Sequence, residues 1–435
     1  MSSDYRKTHI GQRKLKPSTQ MMSYGYDPFM SEGSVKPPIF LTSTFAFKSA
    51  EDGAEFFDIA TGRKEAPEGE RGGLIYSRIN HPNMEIVQDR LALIEGAEAC
   101  ALCASGMGAI SSTFLAFLRP GDVVIHTSPL YGGTEVLIRN MLAEFGILSV
   151  ELHDALCPDA IARAVEAAKA KGPVKMIYTE TPGNPTNALV DFSLITAAAA
   201  RLEEETGERP ITVCDNTLQG PLFQHPVEHG IDLTVYSLTK YVGGHSDLVA
   251  GSVAGRKDLV QRIGATRTYF GLNLDPHTCW MISRSLETLV IRMERAADSG
   301  TKIAKWLASN PYHPVKVLHP ELIEDEAYRA VYDRQCTGPG STFSFVIEGG
   351  GRADAFRVIN ALTLFKSAVS LGGSESLACH PASTTHSGVP EEVREQVGLH
   401  EGLIRLSIGL ENADDLLADL EQAFATAFAT AQAAE

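Results

Sequence analysis

Apolar and polar positions alternate along the middle of this chain in a pattern that predicts strands and helices in turn. Short β-branched runs bounded by turn residues indicate buried strands, and longer segments with apolar residues three or four positions apart indicate helices. The predicted strands are 122–126, 148–152, 174–179, 211–214 and 233–236. The predicted helices are 84–93, 105–118, 137–145, 158–171 and 193–206. This order favours an α/β fold with a mostly parallel sheet covered on both faces.

The pattern changes in the C-terminal third of the chain. A long helix is predicted over 277–310, and it is followed by a mixture of predicted strands (342–347, 369–371, 403–408) and helices (353–364, 413–429). Such a mixture is typical of a smaller α+β domain.

Residues 1–80 differ from both of these regions. They are rich in proline, glycine, serine and charge and show poor periodicity, and residues 61–73 are a loop by composition. We expect an extended N-terminal arm. A chain of 435 residues is too long for one small core. The predicted divisions are therefore an arm (1–80), a large domain (81–290) and a C-terminal small domain (291–435).

Composition narrows the classes of function. Hydrophobic residues make up 44% of the chain and charged residues 21%, as in ordinary globular enzymes. The formal net charge of −16 argues against nucleic-acid binding, which needs a basic surface. The sequence shows neither an apolar run of the roughly 18 residues that span a bilayer nor an apolar leader segment. We therefore expect a cytoplasmic protein with no membrane partner.

The cysteines favour a reducing compartment. Seven are spread along the chain, an odd number that is typical of free thiols. Cys100 and Cys103 have the spacing of a redox or zinc motif, but no second such pair accompanies them, so a redox or metal role is the minor alternative. No metal site is predicted. The zinc-protease, P-loop and nucleophile-elbow motifs are absent, which weakens those three interpretations.

The segment from Ser237 to Ser246 carries the clearest chemical signal. It follows a predicted buried strand and places Lys240 between hydroxyl-bearing residues and a glycine-rich turn. Desolvation lowers a lysine pKa and frees the amine to attack a carbonyl. Because the hydroxyls of Ser237 and Thr239 suit a phosphate, the segment indicates pyridoxal phosphate bound to Lys240 as a Schiff base. A surface lysine at a strand end is the alternative for this segment alone.

Nine motifs in a fixed order resemble the Cys/Met-metabolism family of pyridoxal-phosphate enzymes, which includes cystathionine γ-synthase and methionine γ-lyase. The resemblance runs from Tyr24 to the last helix and implies the fold-type I transferase fold. The motifs are Tyr76-Ser-Arg78, Ser105-Gly-Met-Gly108, Leu130-Tyr-Gly-Gly-Thr134, Thr181-Pro-Gly-Asn-Pro185, Asp215-Asn-Thr217, Ser237-Leu-Thr-Lys240, Ser370-Leu-Gly-Gly-Ser-Glu-Ser376, His380-Pro-Ala-Ser-Thr-Thr-His386 and Leu403-Ile-Arg-Leu-Ser407.

Two groups of residues are candidates for the cofactor phosphate. Gly106 and Met107 lie at a predicted helix N-terminus, where N–H groups and the helix dipole suit a phosphate, although a plain turn is the alternative. The resemblance implies that Tyr76 and Arg78 bind the same phosphate from the neighbouring subunit. It therefore implies a homotetramer, a dimer of dimers with shared active sites. By itself, Tyr-Ser-Arg is typical of a solvated loop.

Three residues are candidates for the cofactor ring. The resemblance implies that Asp215 pairs with the pyridine nitrogen and keeps it protonated. It implies that Asn184 donates to the 3-oxygen of the ring. Tyr131 would stack on the ring and act as an acid or base near the substrate. Without the resemblance, Asp215 could equally cap a turn, Asn184 could form one, and Tyr131 could be structural.

Substrate binding is expected at Arg405, which lies inside an apolar strand and needs an anionic partner. The resemblance implies that this partner is the substrate α-carboxylate and that Ser370 assists in the contact. An internal ion pair between Arg405 and Glu411 is the alternative. His380 and His386 are expected to be structural.

The resemblance implies γ-elimination from a γ-substituted L-amino acid: methionine, homocysteine, an O-substituted homoserine or a canavanine-like compound. The alternative is γ-replacement, as in cystathionine γ-synthase or O-acylhomoserine sulfhydrylase. Val369 stands where cystathionine-handling members carry glutamate, whereas Gly133 stands where methionine γ-lyases carry cysteine, and Thr268 replaces an acid that they use. We therefore expect a γ-lyase with an altered substrate preference. A transaminase or decarboxylase on this fold and a cofactor-free scaffolding relative are the alternatives from other classes.

Overall fold

The structure is a computed structural model that describes residues 5–66 and 72–432. Its strands are β1 (His9–Ile10), β2 (Arg13–Lys14), β3 (Ala99–Cys103), β4 (Val123–Thr127), β5 (Leu148–Leu152), β6 (Val174–Glu180), β7 (Ile211–Asp215), β8 (Leu233–Ser237), β9 (Gly251–Gly255), β10 (Val315–Leu318), β11 (Thr342–Ile347), β12 (Lys366–Ser367), β13 (Leu377–Cys379) and β14 (Leu403–Ser407). Its α-helices are α1 (Pro17–Gln20), α2 (Ala50–Ala60), α3 (Pro82–Glu95), α4 (Gly106–Phe117), α5 (Gly132–Val136), α6 (Pro158–Lys169), α7 (Phe192–Thr206), α8 (Lys257–Phe270), α9 (Pro276–Leu286), α10 (Leu289–Leu307), α11 (Glu326–Gln335), α12 (Arg352–Ala361), α13 (Glu391–Gln396) and α14 (Ala413–Gln432).

The larger sheet confirms the predicted mostly parallel arrangement. Within the described residues it has seven strands in the order β3-β9-β8-β7-β6-β4-β5. Strands β4 to β8 pair in parallel, and β9 runs antiparallel to both of its neighbours. Helices α4 and α6 contribute to cores on opposite faces of this sheet. Five predicted strands agree with the structure to within one or two residues.

Strands β3 and β9 were not predicted. Strand β3 has no β-branched residue, and β9 begins and ends with glycine, so both lack the usual strand composition. The tertiary structure explains one of these glycines. A Cβ on Gly251 would lie 2.1 Å from the carbonyl oxygen of Ser105, so no side chain fits at this position. The strand is therefore specified by packing against the loop after β3 and not by local propensity.

The smaller sheet has five strands in the described part of the chain, in the order β10-β11-β14-β13-β12. All pairs are antiparallel except β12 with β13. The predicted strand at 369–371 is wrong. Ser370 has a φ of 105°, a conformation that a strand residue does not adopt, and the chain turns there between β12 and β13.

The predicted helix 277–310 is two helices, because α9 ends at Leu286 and α10 begins at Leu289. The buried Arg292 of α10 explains how the break is stabilised. Its guanidinium donates to the carbonyl of Ser285, 2.9 Å away, and its Nε donates to Thr288 Oγ1 at 3.1 Å. The first of these bonds satisfies a carbonyl at the end of α9 that a continuous helix would have paired internally.

The remaining helix predictions hold in outline, with one difference in type. The predicted helix 137–145 begins earlier, as α5, and continues as a π-helical segment from Leu137 to Leu142. The N-terminal arm also contains regular structure. Helix α2 begins after Ser49, whose side chain accepts from the Asp52 N–H. Among the described residues, no helix is both long and apolar enough to cross a membrane.

The three predicted domain divisions stay proposals. Helix α10 crosses the proposed boundary at residue 290 and contributes to two cores. Leu289 and Met293 pack in the cluster next to the larger sheet, whereas Ile303 and Leu307 pack in the cluster of the smaller sheet. The two sheets are thus joined by one continuous helix.

The structure excludes a shared role for Cys100 and Cys103. Positions three apart on a strand face opposite sides of the sheet, and the two thiols lie in different core clusters. Burial raises the pKa of the Cys103 thiol to about 11, and it raises that of Cys100 further still. The alternative of a two-cysteine redox or metal motif is therefore wrong.

Thiol reactivity provides a test of this core. All seven cysteines are free, and all are buried except Cys157, which is partly exposed. We expect one thiol per native chain to react rapidly with a chromogenic disulfide reagent at pH 8, and seven after denaturation. The Cys157→Ser variant should lose the rapid phase. A second rapid thiol that maps to Cys100 or Cys103 would contradict the buried positions described here.

Candidate active site

Lys240 lies in the turn that follows β8, and its amine reaches across to the smaller sheet. Its Nζ donates to Ser370 Oγ at 2.8 Å. Burial lowers the pKa of Lys240, the positive charge of Arg405 adds to this effect, and Asp215 opposes it. The resulting pKa is about 8. Lys240 is thus not a surface lysine, and near neutral pH a substantial fraction of its amine is uncharged and nucleophilic.

Arg292 supports the turn that carries Lys240. This residue was not identified from the sequence. The Gly244 N–H donates to the Lys240 carbonyl at 2.7 Å. Arg292 Nη1 donates to the Tyr241 carbonyl at 2.8 Å. A Cβ on Gly244 would lie 1.7 Å from that nitrogen, so glycine is required beside it. An arginine on the buried face of a predicted helix was the available signal.

Asp215 lies at the carboxyl end of β7, next to β8 in the sheet. Its Oδ1 accepts from the Thr217 N–H at 3.1 Å and from the Thr217 hydroxyl at 2.6 Å. Burial raises the pKa of Asp215, while the Thr217 bonds and the charge of Lys240 lower it. Asp215 caps a turn, as the structural alternative expected, and it also presents a buried carboxylate close to Lys240.

Thr217 connects this acid to the predicted phosphate side of the site. Its hydroxyl oxygen accepts from the Ser237 N–H at 2.9 Å while the same hydroxyl donates to Asp215. It therefore fixes the distance between the two groups. Sequence reasoning assigned no role to Thr217, although the motif Asp215-Asn-Thr217 contains it.

Gly106 and Ser237 lie against each other at the N-terminus of α4. A Cβ on Gly106 would lie 2.9 Å from the Ser237 Cβ, so glycine leaves room there. The Ser105 side chain caps the helix by accepting from the Gly108 N–H, which leaves the N–H groups of Gly106 and Met107 available for a ligand. Thr239 instead exchanges two hydrogen bonds with the backbone of Ala250, at 3.2 and 3.1 Å.

Arg405 is buried in β14, with 3% of its surface exposed. Its guanidinium donates to Asn184 Oδ1 at 3.0 Å and to the Ser370 carbonyl at 2.9 Å. Glu411 does not pair with it, because that carboxylate accepts from the backbone and side chain of Ser376. Among the described residues, no carboxylate lies within ion-pair distance of Arg405. The internal ion-pair alternative is wrong, and a buried cation without a counterion is a site for an anion.

Tyr131 and Asn184 lie in two loops on the same side of the sheet. Tyr131 is 40% exposed, and its ring lies over Gly133, where a Cβ would be 2.6 Å from Tyr131 Cε1. A cysteine at position 133 would therefore displace this ring. The Oδ1 atom of Asn184 accepts from Arg405, so its amide NH2 remains free to donate.

Tyr76 and Arg78 lie elsewhere in the chain. Arg78 Nη1 donates to the Thr268 carbonyl at 2.8 Å, and its guanidinium lies 5.9 Å from the centre of the Tyr76 ring. No hydrogen bond among the described residues connects either of them to Gly106, Ser237 or Lys240. Within one chain, the described hydrogen bond of Arg78 is made to helix α8.

A cleft of about 510 Å³ opens beside Ser370 and Thr239. Val369 lines it and is 55% exposed, and the carboxylates of Asp247 and Glu375 line it as well. Glu135, which the sequence raised as a partner for a cationic substrate, is buried and ion-paired with Arg139 at 2.8 Å. The charged residues that line this cleft are Asp247, Glu375 and Lys366, and Lys366 Nζ lies 4.0 Å from the Glu375 carboxylate.

His380 and His386 have hydrogen-bond partners on both ring nitrogens. His380 contacts Ser383 and the Glu401 carbonyl, and His386 contacts Thr385 and the Asn184 carbonyl. Burial lowers the pKa of His386 to about 4, so this ring is neutral. Both contact sets agree with the structural role expected for them.

A family model described as Cys/Met metabolism PLP-dependent enzyme matches residues 18–425. The chain belongs to this family. The L-methionine γ-lyase of Pseudomonas deceptionensis is 41% identical over 93% of this chain and 96% of that protein. Human cystathionine γ-lyase is 35% identical over 94% of each chain.

Solved structures of the same fold include a cystathionine γ-synthase from Xanthomonas oryzae pv. oryzae. That structure has a TM-score of 0.83 and 32% identity, covering 96% of this chain and 99% of its own. A putative O-acetylhomoserine (thiol)-lyase from Campylobacter jejuni has a TM-score of 0.84 and 30% identity, with coverage of 94% and 100%, and it contains a pyridoxyl-lysine-phosphate. The fold-type I architecture and the dependence on pyridoxal phosphate are thereby confirmed.

The residues of this family member fit the cofactor on structural grounds. The space that the missing Cβ of Gly106 leaves beside Ser237, together with two free N–H groups, suits a phosphate. The buried Asp215 suits a protonated ring nitrogen, which would lower its pKa again. The desolvated amine of Lys240 suits an aldehyde.

The rate of cofactor uptake should report the pKa of Lys240. Because only the neutral amine attacks an aldehyde, we expect covalent uptake of pyridoxal phosphate by the cofactor-free protein to accelerate between pH 7 and 9 and level off above. Absorbance measures uptake, and borohydride reduction followed by peptide mapping locates the label. Lys240→Ala should bind the cofactor without covalent attachment. A midpoint near 10.5, the ordinary lysine value, would contradict the desolvated environment.

Proposed function

We propose that this protein catalyses γ-elimination on a γ-substituted L-amino acid and releases the γ-group. The observation that carries the proposal is the pair of cationic residues between the two sheets. Arg405 provides a buried site for an α-carboxylate, and Lys240 lies near enough for the two charges to interact. A carboxylate held by Arg405 places the α-carbon of an amino acid near the Lys240 amine.

The chain contributes positioned groups to this reaction. Pyridoxal phosphate, when bound, withdraws electrons from the bonds to the substrate α-carbon. Lys240 Nζ removes the α-proton, and the Ser370 hydroxyl holds that amine in place. Asp215 keeps the ring nitrogen protonated. The Tyr131 hydroxyl donates a proton to the departing γ-group, and its exposed ring can reach that group.

The remaining assignments follow from position. We propose that Gly106, Met107 and Ser237 bind the phosphate, and that Thr239 joins them when its hydroxyl turns from the Ala250 carbonyl to the phosphate. We also propose that the amide NH2 of Asn184 donates to the 3-oxygen of the ring. Because the Oδ1 atom of the same amide accepts from Arg405, Asn184 would connect the ring to the substrate carboxylate. A shift of the ring would then alter the position of the substrate carboxylate, and a shift of the carboxylate would alter the position of the ring.

Elimination is favoured over replacement by the relatives and by the cleft. The L-methionine γ-lyases of two Pseudomonas species are 41% and 40% identical to this chain. Val369 presents an apolar side chain to the cleft beside Ser370, where a second amino group would need an acid. Asp247, Glu375 and Lys366 line the same cleft, and Lys366 Nζ lies 4.0 Å from the Glu375 carboxylate. The cleft would therefore suit a neutral γ-substituent.

γ-Replacement is the second candidate. Cystathionine γ-synthase and O-acetylhomoserine (thiol)-lyase structures match the fold with TM-scores of 0.83 and 0.84. A cleft of about 510 Å³ has room for a thiol co-substrate. In replacement, the sulfur of the thiol would bond to the γ-carbon that the leaving group has left, whereas in elimination this carbon would take up a proton.

We also propose that the protein is a homotetramer, built as a dimer of dimers, in which Tyr76 and Arg78 of the partner subunit complete the phosphate site. Two observations support this. Among the described residues, neither of them hydrogen-bonds to Gly106, Ser237 or Lys240 within one chain. The N-terminal arm exposes large apolar side chains, including Phe29 at 77%, Met30 at 82% and Val35 at 81%. A cytoplasmic location also remains a prediction.

A substrate panel tests the proposed reaction. L-Methionine, L-homocysteine, O-acetyl-L-homoserine, L-canavanine and L-cystathionine would be supplied singly, with and without added cysteine. We expect 2-oxobutanoate and ammonia in equal amounts from at least one γ-substituted compound, because the γ-group leaves without a nucleophile. Lys240→Ala should lose this activity by about 10²- to 10⁴-fold or more.

Other products would place the enzyme in another reaction class. A new thioether amino acid that replaces 2-oxobutanoate when cysteine is present would favour the transferase. A 2-oxo acid with an intact γ-group would indicate transamination, and carbon dioxide would indicate decarboxylation. Turnover in all cases depends on bound cofactor, so the cofactor content of each preparation is measured first.

Mixed oligomers test the shared site. Arg78→Ala and Lys240→Ala should each be inactive alone, since one weakens phosphate binding and the other lacks the amine. After the two variants are unfolded together and reassembled, we expect about a quarter of wild-type activity, because some sites combine an intact Arg78 with an intact Lys240. Reassembly of each variant with itself is the control. Activity that stays at the level of the controls would show that each site is built from one chain.

A further inference from the structure

Glu180 is a buried carboxylate to which the proposed reaction gives no part. It is the last residue of β6, has 4% of its surface exposed, and pairs in register with Asp215 of β7. Each of its two oxygens accepts from a different backbone N–H. Oε2 accepts from Tyr131 at 2.7 Å, and Oε1 accepts from Asn184 at 3.0 Å.

These two N–H groups belong to the loops that carry candidate site residues. The Tyr131 loop follows β4, and the Asn184 loop follows β6. In each loop the residue that is held by its backbone also projects its side chain into the site. The Tyr131 ring lies over Gly133 beside Met107, and the Asn184 side chain accepts from Arg405. One carboxylate thus sets the relative position of two side chains.

The position of Glu180 is electrostatically unfavourable. Burial and the neighbouring Asp215 raise the pKa of Glu180, and Glu135 adds to this effect, whereas the two backbone N–H groups lower it. No ion pair to Glu180 occurs among the described residues, since Arg139 pairs with Glu135 and Glu151 instead. A buried carboxylate without a cation is costly. A glutamine at this position would avoid that cost, but it could accept from only one of the two N–H groups and would turn its NH2 toward the other.

We propose that Glu180 is a positioning residue, which holds Tyr131 and Asn184 in register with Arg405 and with the cofactor ring. This inference deepens the proposed function and rests on the roles given there to Tyr131 and Asn184. Glu180 itself contacts no substrate atom in this proposal. It acts through two backbone N–H groups, so its loss should disturb ring orientation and substrate alignment together.

Glu180→Gln is the first test, and Asp419→Asn is its matched control. Asp419 is another buried carboxyl group that accepts from backbone N–H groups of one loop, those of Thr363 and Leu364 at 2.8 Å each, but it hydrogen-bonds to none of the candidate site residues. Both variants should lose similar stability. Only Glu180→Gln should change the visible circular dichroism of bound pyridoxal phosphate and weaken cofactor affinity several-fold.

Kinetics give a second readout. A misplacement of about 1 Å can cost about 10²-fold in rate, so we expect kcat to fall by about 10- to 100-fold in Glu180→Gln, with KM raised through Asn184 and Arg405. In a double-mutant cycle, Glu180→Gln and Asn184→Ala should be non-additive in cofactor affinity, because one acts through the other. Additive effects would overturn the proposal, as would unchanged dichroism and affinity in Glu180→Gln.

A folding failure is also informative. Glu180→Asp retains the charge but withdraws both oxygens by one methylene, and it should show the same spectral change. If neither variant accumulates as folded protein while Asp419→Asn does, Glu180 is a stability residue and the proposal fails. If the spectral change appears although the wild-type protein eliminates no γ-group from any compound of the panel, the positioning role stands and the proposed reaction fails.

Discussion

The site depends on an Arg405 guanidinium that is buried without a carboxylate partner. Its described partners are a neutral amide oxygen and a backbone carbonyl, both of which belong to the site itself. A buried cation in this state is costly until an anion reaches it. The same charge lowers the pKa of Lys240, which is already lowered by burial. One unneutralised charge therefore prepares both an anion site and a nucleophilic amine.

The carboxyl groups of the site lie on its other side. Asp215 and Glu180 end neighbouring strands of the larger sheet and have raised pKa values through burial. Arg405 comes from the smaller sheet, and Lys240 comes from the turn after β8. The two sheets thus bring buried acids and a buried arginine to one boundary. Ser370 lies at this boundary in a conformation with φ of 105°, and it contacts Lys240 with its hydroxyl and Arg405 with its carbonyl.

Position-specific packing explains where sequence interpretation failed. Strand β9 has the composition of a turn, yet Gly251 is required there because the Ser105 carbonyl lies where a side chain would begin. The run 369–371 has the composition of a strand, yet Ser370 adopts a turn conformation because it contacts two cations. Cys100 and Cys103 have the spacing of a metal motif, but a strand places them on opposite faces. In the first two cases a neighbour distant in the chain overrode local composition, and in the third the alternation of side chains along the strand separated the two thiols.

The sequence by itself determined the alternation of strands and helices, the family and its cofactor, and the residue types that the chemistry needs. These follow from local periodicity and from ordered motifs, which are properties of the chain alone. Only the tertiary structure decided that Arg405 lacks a carboxylate among the described residues, that Glu180 accepts from two loops, that Arg292 supports the lysine turn, and that Arg78 donates to the Thr268 carbonyl. Such features depend on distances between residues far apart in sequence, and hydrophobic periodicity carries no information about them.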